Sequence, residues 1–421
     1  MIVTQERYTP PRSYAVVAGL TYAMFFMFAM TTDAVGEIIK LAKEELGLSL
    51  TQASAFHWAT MVAIAASGMF LGFLADRMGR KAAIILGLGA YGVASALFMT
   101  GRSFELYVTL LFASGLAIGV FKTAALALIG DLSSSTQDHT KRMNLVEGFF
   151  AVGAIVGPLL VVFLSTHGIS WTYLYLIAAT LCGIMIVAAA ASPYPQTKKL
   201  GDKPASPLAS MRLLGNRYAL GFSAGIGLYV ACEVAIFVWL PTFLAGYQGG
   251  VLETWVAAYA VMIFFVLRAI GRFMGVWILN RLRWQTVMAM FSGVIFALFL
   301  ASALLGKAAA LYLLPASGLF MSMIYPTLNS KGISCFPKSA HGAVAGVILF
   351  FTAFAAAIGP LLMAYVADAF GAGDMQIGFW LATGFAAALF AGCLWNWLVD
   401  PAASALAAAD RSEYADYGVT A

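Results

Sequence analysis

Charge is what this sequence has least of. Aspartate, glutamate, lysine and arginine make up 10% of the chain against 62% hydrophobic residues, whereas water-facing domains carry roughly one-quarter charged residues. No stretch reaches that share, which argues against an added soluble domain and places the whole chain in lipid. The net charge of +5 is scattered through short loops and is not gathered on one helix or strand that could track phosphates, so nucleic acid is not an expected partner. There are only four cysteines, Cys182, Cys232, Cys335 and Cys393, with no CxxC pair, which leaves no basis for a disulfide framework or zinc site. The histidines, at 57, 139, 167 and 341, are equally dispersed, and no catalytic or metal-ligand constellation is visible. An enzyme is therefore not expected, nor a cofactor. A receptor or channel would more usually show a soluble domain or a symmetric pore segment, and neither is present.

What the chain does have is long apolar runs. The polar stretch Met1 to Arg12 is followed by a run too long for a signal peptide and without a small-residue cleavage pattern, so it reads as a first membrane span. With about 20 apolar residues needed per span, twelve segments emerge, at 13–33, 52–75, 82–101, 105–130, 143–165, 171–191, 217–245, 254–279, 285–305, 308–330, 342–366 and 376–398. The expected organisation is an N-terminal six-helix bundle (1–191), a linker (192–216), a C-terminal six-helix bundle (217–400) and a tail (401–421). The basic clusters Arg77–Lys81, Lys141–Arg142, Lys198–Lys203, Arg212–Arg217, Arg281–Arg283 and Lys331–Lys338 fall on one side, and only Lys40, Lys43, Arg102 and Lys307 fall on the other. The positive-inside rule then puts both termini in the cytoplasm.

The halves echo each other. Gly157-Pro158 recurs as Gly359-Pro360 after 202 positions, Gly72 and Arg80 recur as Gly275 and Arg283 after 203, and Asp33 has a counterpart in Glu233 after 200. Such an offset marks duplicated six-helix halves, which place substrate near the midplane between repeats.

Between the second and third segments stands Gly72-Phe73-Leu74-Ala75-Asp76-Arg77-Met78-Gly79-Arg80-Lys81. Here Gly72 allows close helix approach, Asp76 can hold a charged partner at a helix end, Gly79 permits a tight turn, and the bases anchor at an anionic leaflet. The run resembles the signature loop of the major facilitator superfamily of secondary transporters. That resemblance implies an all-α fold of twelve transmembrane helices in two pseudo-symmetric bundles, with this loop latching the halves in an outward-facing state.

Ionisable groups within spans are functional candidates by default. Lys122 follows Gly115 and Gly119 on one helical face, a packing seam, and so should point into the bundle. It could pair with Asp33 or Glu147, contact solute, or do both. Asp33, Glu147 and Glu233 are the candidate proton carriers, since coupling needs a carboxyl whose proton affinity changes with its surroundings. Structural alternatives stand beside them: Asp33 as N-cap of an amphipathic stretch from Ala34 to Glu45, Glu147 as a hydrated acid about four residues into its segment, and Glu233 paired with Arg268. Arg268 and Arg272 share one face of the eighth segment, Arg268 as the better carboxylate partner and Arg272 as a structural anchor. His57, Tyr325, Thr327 and Asn329 could read hydroxyls, although His57 could equally anchor at an interface and Asn329 cap a helix.

A narrower resemblance rests on Gly119-Val120-Phe121-Lys122-Thr123-Ala124-Ala125-Leu126, Thr32-Asp33, Asn144-Leu145-Val146-Glu147, Tyr229 to Leu240, and Ser322-Met323-Ile324-Tyr325-Pro326-Thr327. These blocks are similar to the fucose, galactose and glucose proton symporters. The similarity implies that an acid at Asp33 carries the coupling proton. It also implies an acid where this chain has Lys122 and an Asn where it has Leu126. A lysine in place of an acid suits a carboxylate-bearing solute, whereas a lysine paired with Asp33 would keep a neutral sugar possible. The expected function is proton-coupled symport of a sugar or sugar-like organic acid, with sodium left open as coupling ion. Because Gly153 to Pro158 also resembles a motif of drug antiporters, efflux is the alternative. The expected setting is a monomer in a bacterial inner membrane, with lipid and a small solute as partners.

Overall fold

The computed structural model describes residues 14–48, 50–195, 211–244, 247–371 and 374–414. Twelve of the helices are long and apolar enough to span a membrane. These are α1 (Ala15–Thr32), α2 (Leu50–Leu71), α3 (Arg80–Ala96), α4 (Phe104–Asp131), α5 (Thr136–Thr166), α6 (Tyr173–Ala191), α7 (Arg217–Leu244), α8 (Val251–Ile278), α9 (Trp284–Leu305), α10 (Lys307–Ser334, in two pieces), α11 (His341–Gly371) and α12 (Met375–Val399). Short helices at Val35–Leu46, Leu74–Arg77 and Ala403–Ser412 follow α1, α2 and α12. Most of the expected linker, with Lys198, Lys199 and Lys203, lies outside the described residues, as do the ends 1–13 and 415–421.

Helix limits depart from the apolar ruler most at α5, which begins at Thr136 and not near residue 143. Its first turns, Thr136-Gln137-Asp138-His139-Thr140-Lys141-Arg142, are polar, yet Ser135 caps them by accepting from the Asp138 amide at 3.0 Å. They persist as helix because they are packed against the other half, where hydropathy has no say. Helix α10 breaks at Ser322–Met323 because Pro326 has no N–H to donate back to the Ser322 carbonyl. That freed carbonyl instead accepts from Arg272 Nε at 3.3 Å.

The two halves repeat one packing scheme. In the first, α1 lies on α5, α2 on α4, and α3 on α4 and α6; in the second, α7 lies on α11, α8 on α10, and α9 on α10 and α12. The repeated Gly-Pro pairs serve the same contact, since a Cβ at Gly157 would strike the Met30 backbone of α1, and one at Gly359 would lie 3.3 Å from Ala231 of α7. The halves meet along α2–α11 and α5–α8, and the glycines matched by the 203-residue offset sit on these two seams: Gly72 against Gly342 and Gly346, and Gly275 against Asn144 and Met323.

On the α2–α11 seam a Cβ at Gly68 would stand 2.7 Å from the Gly346 carbonyl oxygen, so the closure admits no side chain. Gly346→Val is expected to hold the halves apart there, at the ~1–3 kcal/mol typical of overpacking. With the native cysteines removed, maleimide labelling of a cysteine placed at the buried Ser330 should then rise about tenfold. Unchanged labelling would mean that this seam does not govern closure.

Candidate functional site

Polar contacts tie the halves together at the end of the bundle that bears the 72–81 loop, here called the latch face. Asp76 accepts from the backbone amides of Gly342 (2.9 Å) and Ala343 (2.8 Å) at the start of α11, so the expected charged partner at a helix end is the N-terminus of a helix in the other half. Arg80 Nη1 donates to Asp76 Oδ1 (2.5 Å) and to the Ala75 carbonyl (2.9 Å), its Nε to Asp131 Oδ2 (2.9 Å), and its Nη2 to the Lys338 carbonyl (2.6 Å). Leaflet anchoring does not describe Arg80, which is 3% exposed; four acceptors inside the interface satisfy it better than headgroups would. Arg77 is exposed, and Lys81 Nζ donates to the last carbonyls around α6, Ala190 and Ser192. Gly79 takes φ +87°, the turn expected of it.

Deeper in the same interface, His139 and Thr140 of α5 meet Ser334 (2.7 Å) and Ser330 (2.9 Å) of α10. The tail helix crosses the seam as well: Asp410 accepts from the Thr136 amide (2.8 Å) and hydroxyl (3.1 Å). Opening of this face must break the bonds that cross between the halves: Asp76 to Gly342 and Ala343, Arg80 to the Lys338 carbonyl, His139 and Thr140 to the α10 serines, and Asp410 to Thr136.

At the centre the charges sort into pairs. Glu147, expected near a helix end, is eleven residues into α5 and 2% exposed. Arg272 Nη1 donates to its carbonyl (2.6 Å) and to Oε2 (3.0 Å), joining α8 of one half to α5 of the other. The hydrated-acid alternative is thereby overturned, because the polar turns that precede Glu147 are helical and set it well inside α5. Within the second half, Arg268 is paired with Glu233, whose Oε1 also accepts from Tyr229 at 2.7 Å. The expected Glu233–Arg268 pair is present. Among the described residues, Arg268 Nε and Nη2 are buried with no hydrogen-bond partner, an unusual state for a guanidinium and one that fits a group awaiting a ligand.

Lys122 points into the bundle as its glycine spacing predicts, and it is 5% exposed. It forms no ion pair with Asp33 or Glu147. Glu147 is committed to Arg272, and the Lys122 ammonium instead faces three rings, Phe28 at 4.3 Å, Phe150 at 5.4 Å and Phe25 at 5.5 Å from their centroids. Such contacts favour a cation modestly, but they leave it without an oxygen partner among the described residues. Phe150 also stands 5.7 Å from the Arg272 guanidinium, so one ring separates the lysine from the interhalf pair.

Asp33 is half-buried at the end of α1, where it is the C-cap residue and accepts from Thr32 Oγ1 at 2.9 Å. Its side chain does not cap Val35–Leu46 among the described bonds. His57 is half-buried and borders a cavity of ≈ 20 Å³, room for about one water, beside Thr31, Tyr91 and Ser114. Tyr325 packs 6.2 Å from Tyr229, whereas Thr327 and Asn329 lie toward the latch face in the second piece of α10. Asn329 caps nothing: it is fully buried within that helix, and neither amide atom has a partner among the described residues.

Sequence reasoning missed the Phe25–Phe28–Phe150 cage, the histidine–serine contacts and the α11 glycines. Only the last left a readable trace, since Gly342 and Gly346 are four apart, the spacing of a close helix contact.

With this geometry in place, comparisons with known proteins agree on one kind of molecule. A family model described as Major Facilitator Superfamily matches residues 20–360. The L-fucose-proton symporter of Escherichia coli (strain K12) is 24% identical over 400 residues, covering 86% of this chain and 89% of that protein. A glucose/galactose transporter of Brucella abortus biovar 1 (strain 9-941) is 26% identical over 366 residues, covering 83% and 87%. The crystal structure of the transporter FucP in the outward conformation superposes with a TM-score of 0.75 at 23% identity, over 91% of this chain and 99% of that one, a likeness that carries the fold.

Proposed function

The chain belongs to the Major Facilitator Superfamily and is a multi-pass membrane transporter, and on that footing we propose that it is a proton-coupled symporter importing a sugar or sugar-like organic acid. The observation that carries this reading is the buried Glu147–Arg272 pair, which joins the halves at mid-depth beside Glu233–Arg268 and the unpaired Lys122. A pair spanning the two halves must separate when they rock apart, and its buried carboxylate then needs either a cation or a proton. Relatives named for L-fucose with a proton and for glucose/galactose support the passenger and the coupling ion.

In this reading the latch face is cytoplasmic, as the basic loops require, and the inner membrane of a bacterium is the setting. The molecule is then closed to the cytoplasm and outward-facing, with Asp33 half-buried at the end of α1 away from the latch face. Solute and proton enter from that side, the latch bonds break, and the halves close above the solute. Asp33 and Glu233 are the proposed proton carriers, and Arg268, with two free donors, and Tyr325 the proposed hydroxyl or carboxylate readers.

Reconstituted protein under an inward proton gradient should accumulate a sugar or sugar acid. Asp33→Asn and Glu233→Gln should each cut gradient-driven accumulation while sparing gradient-independent exchange. Undiminished coupling in both variants would remove the carrier assignment. Accumulation only under a gradient of the opposite sense would favour efflux, and accumulation under sodium alone would replace the ion.

A further inference from the structure

We infer that the passenger is a monocarboxylate, bound at Lys122, and that its transport with one proton moves no net charge across the membrane. This deepens the symport reading and rests on it. The groups whose charges act on Lys122 or Asp33 are Glu147, Glu233, Arg268 and Arg272, so the central cluster holds three bases and three acids and is neutral when all are ionised. Two bases and two acids are spent in the Arg272–Glu147 and Arg268–Glu233 pairs. Lys122 and Asp33 are left, and they do not pair: Asp33 is held by the Thr32 hydroxyl, and Lys122 by ring faces.

A carrier that reorients through lipid-like surroundings pays heavily for uncompensated charge, so the forms that cross should be close to neutral. The empty, deprotonated form is neutral by the count above. One proton on Asp33 gives a net charge of one positive unit with both ion pairs intact, and the group left without a counterion is the buried ammonium of Lys122. A bound carboxylate restores neutrality and gives that ammonium the oxygen partner it lacks. Proton and anion thus favour each other's binding through charge alone, with no need for a conformational relay. A neutral sugar would leave the proton-loaded form charged. The cage adds a size limit, because Phe25, Phe28 and Phe150 surround the ammonium at 4.3–5.5 Å; a compact carboxylate can approach, with hydroxyls turned toward Tyr325 and the free donors of Arg268.

The test uses full-length protein in proteoliposomes with potassium and valinomycin to set the membrane potential independently of pH. The probes are radiolabelled D-galacturonate and D-gluconate against D-galactose, D-glucose and L-fucose. An inward proton gradient at zero potential should drive accumulation of a sugar acid. A potential of 100 mV, worth ~50-fold in accumulation for each net charge moved, should add nothing. Lys122→Gln should weaken sugar-acid binding on the order of thirtyfold, the loss expected when one side of a buried charge pair is removed, and Lys122→Arg should keep binding within about threefold because the charge persists. The inference is overturned if neutral hexoses accumulate and sugar acids do not, if sugar-acid uptake follows the potential, or if Lys122→Gln binds as wild type while thermal unfolding shows it folded. Those results would leave proton symport standing. Absence of proton-driven uptake for every probe would overturn both readings.

Discussion

Replacing Arg80 with alanine is expected to unlatch the transporter. The guanidinium makes four hydrogen bonds inside the closed face, at 2.5 to 2.9 Å, and two of its acceptors are the carboxylates of Asp76 and Asp131. Removing one partner of a buried charge pair costs ~3–5 kcal/mol, because the other charge is left behind in poor solvent. In the opened state water reaches those carboxylates, so most of the cost falls on the closed state alone. A shift of that size is a hundredfold or more in the closed-to-open ratio, by the rule of about 1.4 kcal/mol per decade. The maleimide assay at position 330 reports it directly, with labelling rising by a comparable factor in membranes whose latch face is accessible. Arg80→Lys should recover only part, since a single ammonium cannot reproduce a fork serving acceptors in both halves. Unchanged labelling in Arg80→Ala, with the melting temperature also unchanged, would show that the glycine seam closes this face unaided.

The second large effect is expected at the central pair. Arg272→Met strands Glu147, which is 2% exposed and bonded through the same Arg272 nitrogen at two of its atoms. Glu147→Met strands Arg272 in turn. Each single change should cost ~3–5 kcal/mol of stability in the closed form, whereas the double change to two methionines should be near neutral or even stabilising, as for other buried pairs replaced by apolar residues. Thermal unfolding of the three variants in detergent measures this cycle. Transport should not follow stability: the double variant glues the halves with apolar contact that no proton can weaken, so it should fold well and carry nothing. Additive losses in the double variant would mean that the pair contributes no mutual stabilisation, and the functional reading of it would fall.

The tail helix shows how the latch extends beyond its signature loop. Asp410 belongs to the half that ends in α12, yet it caps Thr136 at the start of α5 in the other half, close to where Lys331 Nζ donates to the Thr136 carbonyl at 3.1 Å. Helix N-termini attract carboxylates. Two such contacts, Asp76 on α11 and Asp410 on α5, are thus made in opposite directions across the same seam.

Much of this architecture could be read from residue types alone, because lipid imposes simple demands. A span must be apolar for about 20 residues, and the twelve runs obey that rule closely enough for most helix limits to agree within a few positions. The duplicated glycines were visible too, since close helix contact tolerates little else at Gly72, Gly157 and their repeats. The loop motif signalled a latch, and the glycine spacing on α4 turned Lys122 inward. Pairing with Arg268 was one of the two readings that the depth of Glu233 offered, beside proton carriage, and the pair is formed.

What the sequence could not decide was who stands beside whom across the seam. Lys122 could pair with Asp33 or Glu147, contact solute, or do both, because ion pairing depends on a few ångströms set by the packing of helices distant in sequence. Only the folded arrangement commits Glu147 to Arg272 and leaves the lysine among three rings. The same holds for Asp76, whose partners Gly342 and Ala343 carry no side-chain charge to read and act through backbone dipoles that exist only once α11 is formed. Hydropathy also stopped short at α5, since a polar stretch that is helical and buries Thr136, His139 and Thr140 against protein looks like a loop to any scale calibrated on lipid. Composition and periodicity thus determined a twelve-helix membrane protein with duplicated halves. Tertiary structure alone chose the charge partners, and among the described residues it left the buried Lys122 with neither a carboxylate nor a carbonyl.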